Sequence, residues 1–161
     1  MPSDFRLANE AWEAYYRTQA TIARELTDAD IWHGLLTREY AVLHALSAAP
    51  EGLRITELGE DVLITQPGMS RLIARLEARD LVERAADSTD ARARRIRLTG
   101  DGAEMQRRVG ANVARHIAQA LTRALDTTQL ASLRDLSLTL LAGASGPAAG
   151  RQREVLERKP S

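Results

Sequence analysis

Residues 53–99 read LRITELGEDVLITQPGMSRLIARLEARDLVERAADSTDARARRIRLT, and this stretch decides the fold. It contains two short helical patterns separated by a turn, then two alternating segments rich in arginine, then the start of a new helix. A pair of helices followed at once by a basic hairpin is typical of a winged helix-turn-helix. We therefore predict a mainly α fold with a small β wing.

The second helical pattern has clear punctuation. Thr65 stands where an N-cap is expected, and Pro67 lies in the first turn, where its missing N–H costs nothing. Apolar residues recur at helical spacing on one face, namely Met69, Leu72, Ile73 and Leu76. The other face carries small residues, polar residues and arginines, namely Gln66, Gly68, Ser70, Arg71, Ala74, Arg75 and Arg79. Taken alone, such a face is equally typical of an ordinary solvated helix.

The hairpin pattern that follows favours a DNA-contacting face over an ordinary solvated one. Leu81–Arg84 and Arg95–Leu98 alternate like strands, and Asp87–Asp90 is a turn cluster within a basic tip that runs from residue 85 to residue 94. In a winged unit the helix enters the major groove and a wing arginine reaches the neighbouring minor groove. Arg75 and Arg79 are then placed to hold the phosphates. The partner that we predict is double-stranded DNA.

Composition limits the other possibilities. The 161 residues carry 22 basic and 22 acidic side chains, yet residues 71–97 hold eight arginines against five acids. No cysteine is present, which excludes a disulfide scaffold and a thiolate metal site. The sequence has no run of eighteen apolar residues, so it predicts no membrane span, and the N-terminal residues do not resemble a signal peptide. We expect a cytoplasmic protein.

The segments outside the winged unit are strongly apolar on one side. Residues 5–26 predict a long amphipathic helix, capped by residues 2–4, whose aromatic seam packs either inside the chain or against a second subunit. The seam is formed by Phe5, Ala8, Trp12, Tyr15, Gln19, Ile22 and Leu26. Residues 37–48 predict a second helix with Tyr40, Leu43 and Leu46 inward, and residues 53–55 predict a short strand. Thr56 is then expected to cap the first helix of the winged unit, with Leu58 and Val62 inside.

Two more helices are predicted after the wing. Thr99 is the expected N-cap of a helix that continues to about Leu125, and Asp126–Gln129 resembles a capping box that opens the last helix. Both helices carry an apolar face, formed by Met105, Val109, Val113, Ile117, Ala120, Leu121 and Leu125 in the first and by Leu130, Leu133, Leu136, Leu140 and Leu141 in the second. Residues 143–161 are predicted to form a flexible linker and charged tail.

Residues 53–102 resemble the MarR family of bacterial transcription regulators, and a weaker resemblance extends over residues 5–142. The family's second wing strand begins after an Asp and an Arg two positions on and closes with Leu-Thr, which matches Asp90, Arg92, Leu98 and Thr99. The pattern before the wing matches LEARDLV at residues 76–82, where Asp80 replaces the usual Gly at a left-handed helix end. The order and spacing of these motifs make the resemblance specific.

The resemblance implies a single domain over residues 1–142, with the winged unit at about 37–99 and dimerisation helices at about 5–26 and 100–142. It further implies a homodimer that represses transcription from a pseudo-palindromic operator. Arg92 would be the minor-groove arginine of the wing, and Asp90 the acid that positions the wing. The DNA-contacting residues would be Thr65, Gln66, Pro67, Gly68, Ser70, Arg71, Arg75, Arg92 and Arg94.

The resemblance also suggests a pocket for a small aromatic or phenolic anion between the dimerisation helices and the winged unit. The candidate lining residues are Trp12, Tyr16, Trp32, Arg38, His44 and His116. Arg38 is the best partner for an anion. The alternative is that the aromatic rings are core residues, the histidines serve the surface or the core, and the regulator senses no ligand.

Enzyme chemistry has little support in the sequence. The three histidines are isolated, and no zinc-protease, serine-hydrolase or phosphate-loop motif is present. We expect no catalytic residue, no metal site and no cofactor. The rival class is a helical interaction protein without DNA specificity, which would leave the basic hairpin and the Thr65–Pro67 helix start unexplained.

Overall fold

The computed structural model describes residues 3–62, 66–87 and 93–144. Six helices and one two-stranded antiparallel sheet make up this part of the chain, which confirms the predicted fold class. The helices are α1 (Ser3–Asp28), α2 (Thr37–Ser47), α3 (Ile55–Val62), α4 (Gln66–Glu77), α5 (Gly100–Thr122) and α6 (Thr127–Gly143), and the strands are β1 (Val82–Ala86) and β2 (Arg94–Leu98).

The hydrophobic core lies in the winged unit. Helices α2, α3 and α4 bury one face each against the two strands and the N-terminal half of α5. All four apolar residues predicted for α4 are buried, as are Leu58 of α3 and Ile96 of β2. The main residues of this core are Val42, Leu43, Leu46, Leu58, Met69, Ile73, Leu76, Ile96 and Val109. Burial of this face leaves the opposite face of α4 toward solvent.

The turn after α4 fixes where the wing begins. Asp80 has a φ of +53°, the left-handed conformation that its place in the LEARDLV motif predicts. The N–H of Leu81 then returns to the carbonyl of Leu76 at 3.0 Å, which closes the helix end. The hydroxyl of Thr99 donates to the carbonyl of Asp80 at 2.5 Å and also caps α5 by accepting from the N–H of Gly102. The predicted cap at Thr99 is confirmed.

Gly102 brings α5 into direct backbone contact with that turn. A Cβ at this position would overlap the carbonyl oxygen of Leu81. Glycine is needed here because the helix and the turn approach more closely than any side chain allows. The winged unit and α5 are therefore joined through main-chain atoms.

Helices α1 and α6 leave apolar side chains in solvent. On α1, Trp12 is 65% exposed, and Phe5, Tyr15 and Tyr16 are similarly open. On α6 no described residue is buried, and Leu136 and Leu140 are 66% and 70% exposed. The capping box predicted at Asp126 and Gln129 is present. In a single chain these two helices thus lack a covering surface for much of their apolar area.

Several predicted boundaries were wrong. Only Leu53 pairs with Ile96 in an isolated bridge, and the predicted strand ends there because Ile55 already begins α3. The cap expected at Thr56 is replaced by Glu57, whose carboxylate accepts the N–H of Arg54 at 2.7 Å. Helix α1 begins at Ser3, so Ser3 and Asp4 of the predicted cap lie within the helix, while Pro2 lies outside the described residues.

Further differences concern α2, the wing and α5. In α2, Val42 is buried and Tyr40 only partly so. The strands pair as far as Ala86 and Arg94, so the wing tip is shorter than predicted. Helix α5 ends at Thr122, and Leu125 lies in the connection that follows.

Candidate DNA-binding surface

The exposed side of α4 is the centre of the candidate surface. Pro67, Ser70, Arg71, Ala74 and Arg75 are all exposed, and Gly68 is partly buried near the start of the helix. Small residues at the N-terminal end let the helix backbone approach a groove floor, and the arginines lie one turn apart along the same side. This is the arrangement that the sequence predicted, with Arg71 on the exposed side and four apolar residues buried, namely Met69, Leu72, Ile73 and Leu76.

The arginines farther along α4 are tied to one buried acid. The carboxylate of Glu39, on α2, is fully buried, and its Oε1 lies 3.0 Å from Nη2 of Arg75. Its Oε2 lies 3.4 Å from Nη1 of Arg79, which also donates to the carbonyl of Gly34 at 3.2 Å. Sequence analysis placed Arg75 and Arg79 on phosphates and did not single out Glu39. The only signal for this acid was its place three residues after Leu36, a capping position of α2.

The wing projects beside α4 with its own ion pairs. Arg84 lies 3.0 Å from Glu77 at the end of α4, and Arg97 lies 2.6 Å from Glu83 across the two strands. Arg94 is exposed at the start of β2, on the side of the hairpin tip. The hairpin thus presents a basic edge close to the end of α4.

A second buried acid stands at the base of the wing. The side chain of Asp87 is fully buried, and its Oδ2 lies 2.8 Å from Nε of Arg54 and 3.2 Å from Nε of Arg95. Arg95 also donates to the carbonyl of Gly52 at 2.8 Å. A buried carboxylate needs such partners to offset its loss of hydration. Asp87 therefore fastens the first strand of the wing to the segment before α3, a role that its place in a polar turn cluster did not suggest.

Several predicted contact residues lie outside the described residues. These are Thr65, Asp90 and Arg92, together with the side chain of Gln66. Their predicted roles remain predictions.

A cleft opens between the end of α1 and the start of α2. It has a volume of about 360 Å³ and is lined by Thr27, Trp32, Leu35, Leu36, Thr37 and Arg38. The indole Nε1 of Trp32 donates to the carbonyl of Leu26 at 2.8 Å, which fixes the ring as one wall. Of the six residues predicted to line a ligand pocket, the cleft brings together Trp32 and Arg38. The other four lining residues were not predicted.

The remaining candidates for the pocket lie elsewhere in the single chain. Trp12 and Tyr16 stack on each other on the exposed side of α1, with ring centroids 6.4 Å apart. His44 stacks on Tyr40, whose ring meets Trp32 edge-on at 5.7 Å. Burial raises the pKa of Tyr40, and a hydrogen bond from Gln106 partly offsets that rise. His116 is partly buried on α5.

The described residues offer neither a metal site nor a membrane span. Within residues 3–62, 66–87 and 93–144, no three His, Asp or Glu side chains group closely enough to hold a metal ion. No helix in the same ranges is both long and apolar enough to cross a bilayer.

Comparison with known proteins decides the family. A sequence model of the MarR family matches residues 33–93, which include α2, α3, α4 and the first wing strand β1. SarZ of Staphylococcus epidermidis, an HTH-type transcriptional regulator, is 30% identical over 115 residues, which make up 71% of this chain and 74% of SarZ. The chain belongs to the MarR family.

Solved structures of MarR-family proteins share the fold. Sco3205 of Streptomyces coelicolor, solved in complex with DNA, is 26% identical with a TM-score of 0.71 and covers 86% of this chain and 88% of its own. PcaV of the same organism, solved with its natural ligand, is 28% identical with a TM-score of 0.57. The match covers 89% of this chain and 95% of PcaV. MarR of E. coli in its apo form is 22% identical with a TM-score of 0.71. The match covers 80% of this chain and 95% of MarR, and at this identity it shows a shared fold alone.

Membership in the MarR family assigns the biochemical class. The protein is a DNA-binding transcription regulator, and the family is one of regulators rather than enzymes.

Proposed function

We propose that this MarR-family protein is a ligand-responsive repressor that binds a pseudo-palindromic DNA operator as a homodimer. The observation that carries the proposal is the two-sided character of α4. One side is completely buried, and the other offers Ser70, Arg71 and Arg75 next to a basic wing. Such a protein acts in the cytoplasm, where the chromosome of a bacterium lies.

In this proposal the two parts of the winged unit have different tasks. Thr65 and the first turns of α4, with Gln66, Pro67, Gly68, Ser70 and Arg71, read base edges in the major groove. Arg75 holds a flanking phosphate, and Arg92 and Arg94 of the wing reach the minor groove and its backbone. Asp90 keeps the wing in position, as the family resemblance implies.

The homodimer is supported by the open apolar faces of α1 and α6. Leu133, Leu136 and Leu140 lie on one side of α6 at steps of three and four, and all three are exposed. Apolar strips of this kind on the two terminal helices mark an interaction surface. A symmetric dimer would present two copies of α4 to half-sites about one helical turn apart, ~34 Å.

Ligand response is supported by the cleft between α1 and α2. Its lining combines the apolar residues Trp32, Leu35 and Leu36 with two threonines and Arg38, a combination that suits a small aromatic anion. PcaV, which shares the fold, was solved with its natural ligand. We therefore assign this cleft, rather than the whole predicted set of six residues, as the sensing site.

Selection of bound DNA from a random library tests the proposal and yields the operator. With that operator, Gln66→Ala is expected to relax base preference, whereas Arg92→Ala weakens binding to matched and scrambled DNA alike. Arg108→Ala is a matched control, since Arg108 is an exposed arginine of α5 paired with Glu104. Equal effects of the first two changes on both DNAs would refute the division of tasks.

The salt dependence of binding separates the function classes. Neutralisation of phosphates makes the logarithm of the affinity fall linearly with the logarithm of the salt concentration. A flat dependence, with no selected sequence, would instead favour a helical interaction protein without DNA specificity.

A further inference from the structure

Glu39 connects three parts of the molecule through one carboxylate. It sits at the third position of α2, where its Oε2 accepts the N–H of Leu36 at 2.8 Å. The same group faces Arg75 and Arg79 of the α4 region. The capping contact needs only one oxygen, and a glutamine would provide it equally well. The negative charge must therefore have another use, because burying it is costly.

The geometry of the Glu39–Arg75 pair identifies that use. Oε1 is completely buried and lies 3.0 Å from Nη2 of Arg75, while the side chain of Arg75 is 60% exposed. Oε1 accepts no well-aligned hydrogen bond in the described part of the chain. Attraction of the two charges thus holds one edge of the guanidinium, and the remaining N–H groups are left toward solvent.

We propose that Glu39 is a positioning residue for DNA binding, which holds the guanidinium of Arg75 ready for a phosphate. The inference rests on the proposed role of α4 at the DNA. An arginine that is already fixed loses less conformational freedom when it binds, so each contact that it makes is stronger. Arg71 has no such buttress among the described residues.

The sign of the effect sets this proposal apart from simple electrostatics. Removing an acid close to polyanionic DNA normally strengthens binding, because one repulsive charge disappears. If Glu39 positions Arg75, Glu39→Gln must instead weaken it. Glu57→Gln is the matched control: Glu57 caps α3 in the same unit in the same way, and it forms no ion pair with a described arginine.

The experiment measures operator affinity across a double-mutant cycle. Glu39→Gln is expected to lower affinity about tenfold, the order of one charge-assisted contact, and to reduce the slope of the salt dependence by about 0.9. In an Arg75→Gln background the same change should have almost no further effect. In an Arg71→Gln background it should retain the full tenfold effect, and Glu57→Gln should leave affinity unchanged or raise it.

Other results would overturn the proposal. An unchanged or higher affinity of Glu39→Gln refutes it, and so does an equal loss in the Arg75→Gln background, which would indicate a general structural defect. Thermal unfolding of each variant checks for such a defect. If neither Arg71→Gln nor Arg75→Gln affects binding, the proposed DNA-binding surface itself is wrong, which is a separate failure.

Discussion

Asp87 and Arg54 are 33 residues apart in the chain, yet Oδ2 of one lies 2.8 Å from Nε of the other at the base of the wing. Arg95 approaches the same oxygen from β2. The wing is thereby attached to the segment that leads into α3.

Asp87→Ala is therefore expected to destabilise the fold and loosen the wing. The substitution removes a fully buried carboxylate, and the partly exposed Arg54 and Arg95 lose their ion pairs with it. We expect a loss of about 1–3 kcal/mol in the free energy of unfolding, measured by urea denaturation. Glu83→Ala is the control, because the Glu83–Arg97 pair on the same hairpin is half-exposed. Its loss should stay within about 0.5 kcal/mol, and equal losses would contradict the special role of Asp87.

Gly102→Ala is expected to be poorly tolerated. Its new Cβ would overlap the carbonyl of Leu81, a main-chain atom that cannot move by a simple rotamer change. Overpacking of this kind costs about 1–3 kcal/mol. Gly100→Ala, two residues earlier, meets no atom within 4 Å and should be neutral or slightly stabilising. The two thermal midpoints test the contact, and similar midpoints would argue against it.

Leu136→Asp is expected to convert the proposed dimer into a monomer. It places a charge in the exposed leucine strip of α6, where a partner helix would otherwise exclude water. Light scattering coupled to size-exclusion chromatography should show half the mass of the wild type. Arg134→Asp introduces the same acid on α6 outside the strip and should remain dimeric. A wild-type protein that is already a monomer would refute the dimer.

Benzoate is expected to bind in the cleft beside Trp32 and to quench its fluorescence. Trp12→Phe leaves Trp32 as the single indole, so the signal reports the cleft alone. Arg38→Ala should weaken benzoate about tenfold, the effect of losing one charge-assisted hydrogen bond. Benzamide, which lacks the charge, should bind equally to both proteins. If Arg38→Ala does not change the affinity for benzoate, or if benzoate leaves the fluorescence of Trp32 unchanged, the cleft does not sense aromatic anions.

Local features of the fold could be predicted from the sequence. The buried side of α4, the cap at Thr99, the capping box at Asp126 and the left-handed residue Asp80 all depend on neighbours within a few positions. Such features are written in residue spacing and in the preferences of individual side chains for caps and turns. The order of these local elements was enough to indicate the winged fold and the exposed face of α4.

Long-range ion pairs could not be predicted in the same way. Nothing in the spacing of Glu39 and Arg75, or of Arg54 and Asp87, indicates that these residues meet. These pairs depend on how α2, α3 and the wing pack against one another. The sequence of a surface helix with arginines is the same whether or not those arginines form ion pairs with a distant acid. The start of α3 was misplaced for a related reason, since Glu57 caps it from inside the helix.

The direct contact between Gly102 and Leu81 attaches one end of α5 to the winged unit. The 23 residues of α5 form a rod of roughly 35 Å, so a tilt of about 5° at one end moves the other by roughly 3 Å. That displacement is close to the rise of one base pair, ~3.4 Å. In the proposed dimer, small changes in how the terminal helices pack would therefore move the winged units by a distance on the scale of one base-pair step.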